Sequence, residues 1–344
     1  MSKIRLALYP FGILYDGITR TKNGLYNRGI LKSNSFPIPL IVIGNLSVGG
    51  TGKTPHTEYI ARLLKNDYKT AVLSRGYGRK TSGYIIADKN ATADTIGDEP
   101  LQIFNNIKNI DVAVCEDRTT GVKRLITDKN SEVVILDDAF QHRKIKGSFY
   151  ILLTTYDQPF YRDFVLPTGN LRETTSNKNR ANIIIVTKCP SSLTATEKHK
   201  IISNIAPLPN QHVFFTTISY QKPIDYKDTT EWNNDKKVLL VTGIVNPEPL
   251  KKHLTDLGNQ VESLNFKDHH DFTDSDIETI NKKLNDLGNN AVVVTTSKDA
   301  VKLKPLLHKI NSSITAFEIP IQISVLFEQE NEFQKSIIHH VRKI

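Results

Sequence analysis

Cysteine is scarce in this chain. Only Cys115 and Cys189 occur among its 344 residues, and each lies beside a predicted strand. Two such residues exclude a disulfide framework, argue against a cysteine-based zinc site and are typical of a reducing cytosol. We therefore expect both to be free thiols.

The apolar N-terminal stretch, residues 4–18, is too short to span a membrane. Pro10 and Asp16 interrupt it, a spanning helix needs about 20 apolar residues, and no small-residue cleavage site of a secretory signal follows. Apolar and aromatic residues beside basic ones are what an interfacial membrane contact needs, and basic residues do follow, at Arg20, Lys22, Arg28 and Lys32. A short helix packed on the core is the alternative.

The composition excludes disorder and leaves room for two globular domains, with 39% hydrophobic and 24% charged residues. No internal repeat or low-complexity tract is evident. Lysine and arginine outnumber aspartate and glutamate by 45 to 36, a net charge of +9 that favours an anionic partner. We do not expect nucleic acid to be that partner, because the basic residues are dispersed and no aromatic stacking motif accompanies them.

A glycine-rich segment between a buried-strand pattern and a helix start is the strongest motif. It reads Gly44-Asn-Leu-Ser-Val-Gly-Gly-Thr-Gly-Lys-Thr-Pro55, with Ser47 where the usual pattern has its first glycine. Glycines let backbone N–H groups turn toward a polyphosphate, Lys53 can reach the terminal phosphates, and the Thr54 hydroxyl can ligate Mg²⁺. We therefore predict a nucleotide-binding loop formed by Ser47, Val48, Gly49, Gly50, Thr51, Gly52, Lys53 and Thr54.

Short apolar runs alternate with helical stretches along the whole chain. They occupy residues 70–73, 110–114, 133–136, 149–153, 182–186, 212–216, 237–241 and 291–295. The alternation predicts an α/β protein, a P-loop NTPase-like doubly wound parallel sheet with a second, smaller α/β domain. We expect a membrane-facing segment at 1–35, a nucleotide-binding core at 36–155, and a C-terminal α/β domain at 156–344 that closes over the active site. Thr273, Asp276 and Gly288 predict the ends of a helix over 274–287.

Two carboxylates end the predicted strand at 133–136. Asp137 and Asp138 would lie at the carboxyl edge of the sheet beside the phosphate loop, where they can hold Mg²⁺ or its waters, and His142 follows. An Asp pair after a strand is often an exposed turn. Its position after a phosphate loop favours the metal role.

Three other segments are rich in charged groups, and each has a structural alternative. Arg75 lies in a Gly-rich loop that could bind anionic oxygens; the alternative is an ordinary surface loop. Asp98 could be a general base, but the residues alone favour a helix cap. Arg172 and Glu173 follow a Gly/Pro turn and could meet phosphate and Mg²⁺ on domain closure, although a surface ion pair is the default.

The segment Asp268-His-His-Asp271 is dense in titratable groups. Zinc is disfavoured because no other histidine or cysteine lies at a familiar ligand spacing. A histidine beside acids can orient a carboxylate elsewhere in the fold or raise its basicity. A solvated turn before the next helix is the alternative.

Together these segments resemble the lipid A 4′-kinase family, tetraacyldisaccharide 4′-kinase. The resemblance rests on residues 44–55, 74–78, 97–100, 137–142, 166–173, 268–271 and 297–303, which occur in the family's order and cover most of the chain. Ala139 stands where the family often has glycine, a small change that leaves the Asp pair intact.

The resemblance implies a peripheral enzyme at the cytoplasmic face of the inner membrane. Its reaction would move the γ-phosphate of ATP to the 4′-hydroxyl of a tetraacylated glucosamine disaccharide 1-phosphate, a membrane glycolipid, in lipid A biosynthesis. The implied roles are Lys53 and Thr54 on phosphate and Mg²⁺, Asp137 and Glu173 near the metal, and Asp98 as base with His269, His270 being the alternative partner. Substrate or phosphate positioning is implied for Asp16, Arg75, Arg118, His142 and Arg172.

Two rival functions can be weighed from the residues. One is a P-loop GTPase or ATPase switch, or a metal-centre chaperone. Guanine specificity usually needs an N-K-x-D element, and the nearest candidate, Thr187-Lys-Cys-Pro190, lacks the aspartate. The other is a nucleotide-binding module without catalysis, which the joint presence of Lys53, Thr54, Asp98 and the Asp pair disfavours.

Overall fold

The structure is a computed structural model that describes residue 5 and residues 7–226, 231–288, 290–310 and 314–344. Its helices are α1 (Tyr9–Asn27), α2 (Lys53–Leu64), α3 (Ala93–Ile96), α4 (Asp98–Asn106), α5 (Arg118–Lys129), α6 (Ala195–Ile205), α7 (Glu248–Asp256), α8 (Asp274–Leu287), α9 (Ser297–Leu303) and α10 (Glu330–Arg342). Short 3₁₀ turns occupy Phe160–Arg162, Thr175–Arg180 and Lys304–Lys309.

The larger sheet has nine strands and carries the phosphate loop. They are β1 (Leu40–Asn45), β2 (Thr70–Ser74), β3 (Ile85–Ile86), β4 (Asp111–Val114), β5 (Val133–Leu136), β6 (Phe149–Thr155), β7 (Ile183–Thr187), β8 (His212–Tyr220) and β14 (Ile321–Val325). Their order across the sheet is β14-β8-β7-β6-β1-β5-β2-β4-β3. The pairs are parallel except at the two edges, where β3 and β14 run antiparallel to their neighbours.

Helices cover both faces of this sheet, which is why β1, β2, β5 and β7 are buried along their whole length. On one face, Ile41 and Ile43 pack in a core with side chains of α2 and α10. On the other face, Leu40 and Val42 share a core with α5, and the neighbouring strands share one with α6. The doubly wound arrangement expected from the sequence is therefore present.

The smaller sheet has five strands, β9 (Ile224–Asp225), β10 (Lys237–Thr242), β11 (Gln260–Asn265), β12 (Ala291–Thr296) and β13 (Ala316–Ile319), in the order β11-β10-β12-β13-β9. All pairs are parallel except β13 with β9. Helices α8 and α9 pack on one face and α7 on the other. Helix α8 has the predicted ends, with a capping box between Thr273 and Asp276 and Gly288 after its last residue.

The chain that follows the predicted boundary at residue 156 contributes strands to both sheets. Strands β7 and β8 continue the larger sheet, and β14 and α10 return to it after the smaller sheet is complete. A buried parallel strand has the same apolar pattern in either sheet, so the sequence could not assign these strands. The division of the chain into domains stays a prediction.

Cys115 and Cys189 are both buried and free, as expected. Across the described residues, no helix has the length and apolar character needed to cross a membrane.

Candidate active site

The phosphate loop joins β1 to α2 at the carboxyl edge of the larger sheet. Gly49 and Gly52 have φ values of 108° and 84°, in the left-handed region that favours glycine. Helix α2 begins at Lys53, so its first backbone N–H groups, which have no partner inside a helix, face the loop. This is the geometry of an anion-binding helix start.

Side chains from α2 and from strands β7 and β8 hold the phosphate loop in place, and the sequence did not identify them. The Thr187 hydroxyl donates to the Thr51 carbonyl at 2.9 Å. His56 lies 2.7 Å through Nδ1 from the Gly52 carbonyl and 3.0 Å through Nε2 from the Thr216 hydroxyl. Burial lowers the pKa of His56 to about 4. A neutral His56 therefore donates to Gly52 and accepts from Thr216, which ties the loop to β8.

The 166–173 segment lies against the front of the loop. The Val48 N–H donates to the Asn170 carbonyl at 2.8 Å, and Ser47 forms an antiparallel bridge with Leu171. Ser47 therefore pairs with an extended segment, and its side chain does not interfere with that pairing. The bridge brings Arg172 and Glu173 to the nucleotide side of the sheet.

Asp137 and Asp138 have different surroundings. Asp137 is fully buried, and its Oδ1 accepts from the Thr57 hydroxyl at 2.8 Å. Burial and the adjacent Asp138 carboxylate raise its pKa. Asp138 is partly exposed and faces two cations, Lys53 Nζ at 3.7 Å and Arg172 Nη1 at 3.3 Å.

The donor set beside Lys53 fits a partly hydrated divalent cation. Within the described residues, the buried Oδ2 of Asp137 has no hydrogen-bond partner, which is costly unless a ligand binds it. The Thr54 hydroxyl belongs to a buried side chain at the start of α2. In the described ranges, no group of three His, Cys, Asp or Glu residues gathers to hold a metal. A cation with one or two protein ligands and several phosphate or water ligands is what Mg²⁺ prefers.

Glu173 is held by a residue that the sequence did not single out. One carboxylate oxygen accepts from Arg180 Nη2 at 2.6 Å, and Arg180 also donates to the Phe140 carbonyl and lies 4.3 Å above the Phe140 ring. Both charged side chains are largely buried. The predicted metal-side Glu173 is therefore fixed in place by a buried ion pair.

Asp98 and His269 meet between the two sheets. Asp98 is buried at the first residue of α4, and His269, 171 residues away, approaches its Oδ2 through Nδ1 at 2.6 Å. His270 lies elsewhere, with Nε2 at 2.9 Å from Asp276 and its ring stacked on Phe266. The geometry thus places His269, and not His270, against Asp98.

The surroundings of the Asp98–His269 pair favour the ionised form of the Asp98 carboxyl group. Burial opposes the charge on Asp98, but the hydrogen bond with His269 and the nearby Lys302 and Lys298 outweigh it and lower the pKa of Asp98. The same hydrogen bond raises the pKa of His269 against its partial burial. A negatively charged Asp98 is the form that can accept a proton.

Glu99 is a further carboxylate of the site that the sequence reasoning missed. Burial and the nearby Asp137 raise its pKa to about 7, while the charges of Lys53 and Lys298 oppose that shift. Glu99 therefore lies between the phosphate-loop side and the His269 side. Its position directly after Asp98 was the only indication in the sequence.

Two of the remaining predicted residues line the same sheet edge. Arg118 is buried, donates to the Cys115 carbonyl at 2.8 Å, and lies close enough to Asp137 and Asp138 for their charges to act on its pKa. Burial and the Arg118 charge lower the pKa of the partly buried His142. Arg75 is exposed at the rim, near Arg118.

Helix α1 attaches beside Arg172 and leaves its apolar face uncovered. The Tyr15 hydroxyl donates to the Arg172 carbonyl at 3.0 Å, and Arg20, which is paired with Asp16 at 2.6 Å, donates to Thr174. Phe11, Leu14 and Ile18 are 62%, 64% and 61% exposed. On its other side α1 packs on the protein, where Gly12 and Asn23 are buried. Ile4 and Leu6 of this stretch lie outside the described residues.

Asp16 lies at the wall of a cavity of about 190 Å³ between α1 and the 163–175 segment, together with Tyr9, Ile13, Phe164 and Thr168. As far as the described chain goes, Asp16 Oδ1 and Thr168 Oγ1 are buried atoms without hydrogen-bond partners. The predicted substrate residue Asp16 is thus separate from the Asp98–His269 pair and adjoins Arg172 through Tyr15.

The sheet, the phosphate loop and the carboxylate edge define a P-loop nucleotide-binding protein. A family model described as Tetraacyldisaccharide-1-P 4'-kinase matches residues 4–342. The chain belongs to this kinase family, and the resemblance derived from its motifs is confirmed.

Relatives and a solved structure match this chain along almost its whole length. Tetraacyldisaccharide 4'-kinases from Flavobacterium johnsoniae and Bacteroides thetaiotaomicron are 44% and 40% identical, covering 100% and 99% of this chain and 99% and 94% of their own. A crystal structure of LpxK from Aquifex aeolicus in complex with ATP is 29% identical, with a TM-score of 0.76 over 98% of this chain and 99% of that one. The predicted P-loop NTPase-like fold is confirmed.

Proposed function

We propose that this protein transfers the γ-phosphate of ATP to the 4′-hydroxyl of a tetraacylated glucosamine disaccharide 1-phosphate in lipid A biosynthesis. Family membership supports the reaction. The observation that carries the mechanism is the 2.6 Å hydrogen bond between His269 and Asp98, because it brings a candidate base from the larger sheet and its partner from the smaller one together.

The phosphate loop, residues 47–54, is the donor half of the site. Its backbone N–H groups and Lys53 bind the triphosphate. Thr54 and the unpaired Asp137 Oδ2 would hold Mg²⁺, and Glu173, fixed through one oxygen by Arg180, would contribute through the other. When bound, Mg²⁺ neutralises charge on the β- and γ-phosphates.

Asp98 is the base of the acceptor half. Its ionised carboxylate accepts the proton of the 4′-hydroxyl as the new oxygen–phosphorus bond forms and the bond to the β-phosphate oxygen breaks, which releases ADP. Hydrogen bonding to His269 orients the carboxylate. Lys53 and the guanidinium groups of Arg118 and Arg172 stabilise charge on the transferring phosphoryl group, since phosphoryl transfer depends mainly on positioning and electrostatics.

Helix α1 would bring the site to its substrate, whose acyl chains remain in a bilayer. The exposed Phe11, Leu14 and Ile18 can enter the interfacial region, and Lys22, Arg28 and Lys32 can meet anionic head groups. Asp16, the partly buried His142 and Arg75 at the rim would then contact the disaccharide. We infer a peripheral location at the cytoplasmic face of the inner membrane.

Labelled ATP and a lipid-linked glucosamine disaccharide phosphate in detergent test the reaction. We expect wild-type protein to transfer label to the lipid and Lys53→Ala to lose transfer. Lys335→Ala, a change at an exposed residue of α10, is the matched control and should behave as wild type. Hydrolysis of ATP or GTP without lipid labelling would contradict the kinase proposal and favour a nucleotide switch.

A further inference from the structure

Two lysines of α9 face the Asp98–His269 pair from the smaller sheet. Lys298 and Lys302 are four residues apart and therefore lie on one side of the helix. The helix itself is well fixed, because the Thr296 hydroxyl caps its start and Asp299, Ala300 and Leu303 are buried. The core of the smaller sheet therefore fixes the positions of Lys298 and Lys302.

Lys302 contacts both members of the Asp98–His269 pair. Its Nζ donates to the His269 carbonyl at 3.0 Å and lies 2.9 Å from Asp271 Oδ1 and 3.7 Å from Asp98 Oδ2. The side chain is only 15% exposed. A partly buried ammonium with three oxygen partners is more strongly held than an ordinary surface ion pair.

Lys298 contacts the imidazole itself. Its Nζ lies 2.6 Å from Asp268 Oδ1 and 3.3 Å from His269 Nε2. An ammonium group has donors and no acceptor, so the Nε2 facing it must offer a lone pair. The ring proton then lies on Nδ1, where it donates to Asp98 Oδ2.

We propose that Lys298 and Lys302 are positioning residues of the phosphoryl transfer, which hold the His269 imidazole against Asp98 as the Nδ1–H tautomer. The proposal rests on the proposed role of Asp98 as base. Lys302 fixes the backbone of His269, whose φ of 59° is in the left-handed region that a non-glycine residue rarely adopts. Lys298 fixes the ring, and Asp98 Oδ1, which accepts the Glu99 N–H at 3.1 Å, stays oriented for the acceptor hydroxyl.

The charges around His269 define how the lysines act on its titration. Asp98 from α4, Asp268 from its own loop and Lys298 from α9 contact the ring, with the Tyr77 ring at one edge. Lys302 from α9 lies beside Asp98 and Asp271, and Glu99 lies near Asp98. Lys298 opposes protonation of His269, and both lysines favour ionised Asp98. Loss of either cation should therefore move the acidic limb of the kcat profile to higher pH.

The test compares Lys298→Met and Lys302→Met with wild type in the lipid kinase assay. We expect each to lower kcat by about tenfold while the KM for ATP changes less than about twofold, since orientation and not nucleotide binding is lost. Lys302→Arg should recover part of the activity, because it keeps the charge. Lys309→Met, which breaks the exposed ion pair with Asp274 at the start of α8, is the control and should change neither value.

A double-mutant cycle with His269→Ala and ¹⁵N NMR of the histidine rings complete the test. If the lysines act through His269, their substitutions add little in the His269→Ala background, and Lys298→Met changes the tautomer seen by NMR. Additive losses with an unchanged pH profile and tautomer would overturn the proposal. Should Lys302→Met fail to fold by circular dichroism, Lys298→Met and Lys302→Arg carry the same comparison.

The outcome for His269→Ala separates this inference from the proposed function. If His269→Ala and Asp98→Asn both retain full transfer, the proposed base is wrong and the lysine proposal falls with it. If those two variants lose transfer and the lysine variants do not, only the lysine proposal is overturned.

Discussion

The donor and acceptor halves of this site are built in different ways. The phosphate loop and Asp137 follow adjacent parallel strands of one sheet, the 166–173 segment brings in Glu173, and backbone groups supply much of the binding surface. The acceptor half joins Asp98 of the larger sheet to His269, Lys298 and Lys302 of the smaller one. The first depends on local sequence and the second on how two sheets pack, so they should respond differently to substitution.

Asp98→Asn tests the acceptor half and should have the largest effect. The amide keeps the shape of the side chain but cannot accept the proton, so we expect kcat to fall by about 10³-fold, within the usual contribution of a general base. The dissociation constant for ATP, measured by calorimetry, should stay near the wild-type value. A loss confined to ATP affinity would move Asp98 to the donor half.

His56→Gln tests the donor half at a residue that does not face the nucleotide. Loss of the buried hydrogen bonds to Gly52 and Thr216 should reduce stability by about 1–3 kcal/mol and weaken ATP binding. Because the pKa of His56 falls from its ordinary 6.5 to about 4 in the folded protein, wild type loses stability as pH falls from 6.5 toward 4. Urea unfolding at several pH values checks this, and an identical pH slope in the variant would contradict it.

Leu14→Asp tests membrane binding separately from the donor and acceptor halves of the site. A charge on the exposed face of α1 should weaken binding to vesicles that contain anionic lipid by severalfold, on the order of 1–2 kcal/mol for the lost apolar contact. ATP binding should not change. Flotation of vesicles measures the first and calorimetry the second; Lys335→Ala serves as the control, and equal flotation of Leu14→Asp and wild type would exclude α1 as the contact.

Glu99→Gln should have the smallest effect, and it probes the carboxylate between the halves. Its folded pKa of about 7 lies above the ordinary 4.5, so wild type loses stability as pH rises from 4.5 to 7. The free energy of unfolding of the variant, measured without nucleotide and compared with that of wild type, should therefore be relatively higher at pH 8 than at pH 5. A constant difference would show that Glu99 is ionised in this range.

What the sequence could predict follows the same division. The loop at 47–54, the Asp pair and the 274–287 helix were predicted because their residues are contiguous and their spacing has a direct structural meaning. The partner of Asp98 could be assigned only to one of two adjacent histidines, since the left-handed backbone at His269 turns one ring toward α4 and leaves the other on Phe266.

Residues that support the site from a distance left little trace in the sequence. Thr57, His56 and Thr187 look like ordinary members of a helix or strand until the fold brings them to the phosphate loop or to Asp137. The assignment of β7 and β8 to the larger sheet was missed for a related reason. Their apolar pattern reports burial and does not report which sheet they join.

The most direct test of a two-part site is a comparison of Lys53→Ala with His269→Ala. For each variant, the dissociation constant for ATP and the single-turnover rate of label transfer to the lipid are measured on the same preparation. We predict that Lys53→Ala weakens ATP binding and abolishes transfer, whereas His269→Ala binds ATP as wild type does and transfers slowly. Equal losses of ATP affinity in the two variants would contradict separate donor and acceptor halves.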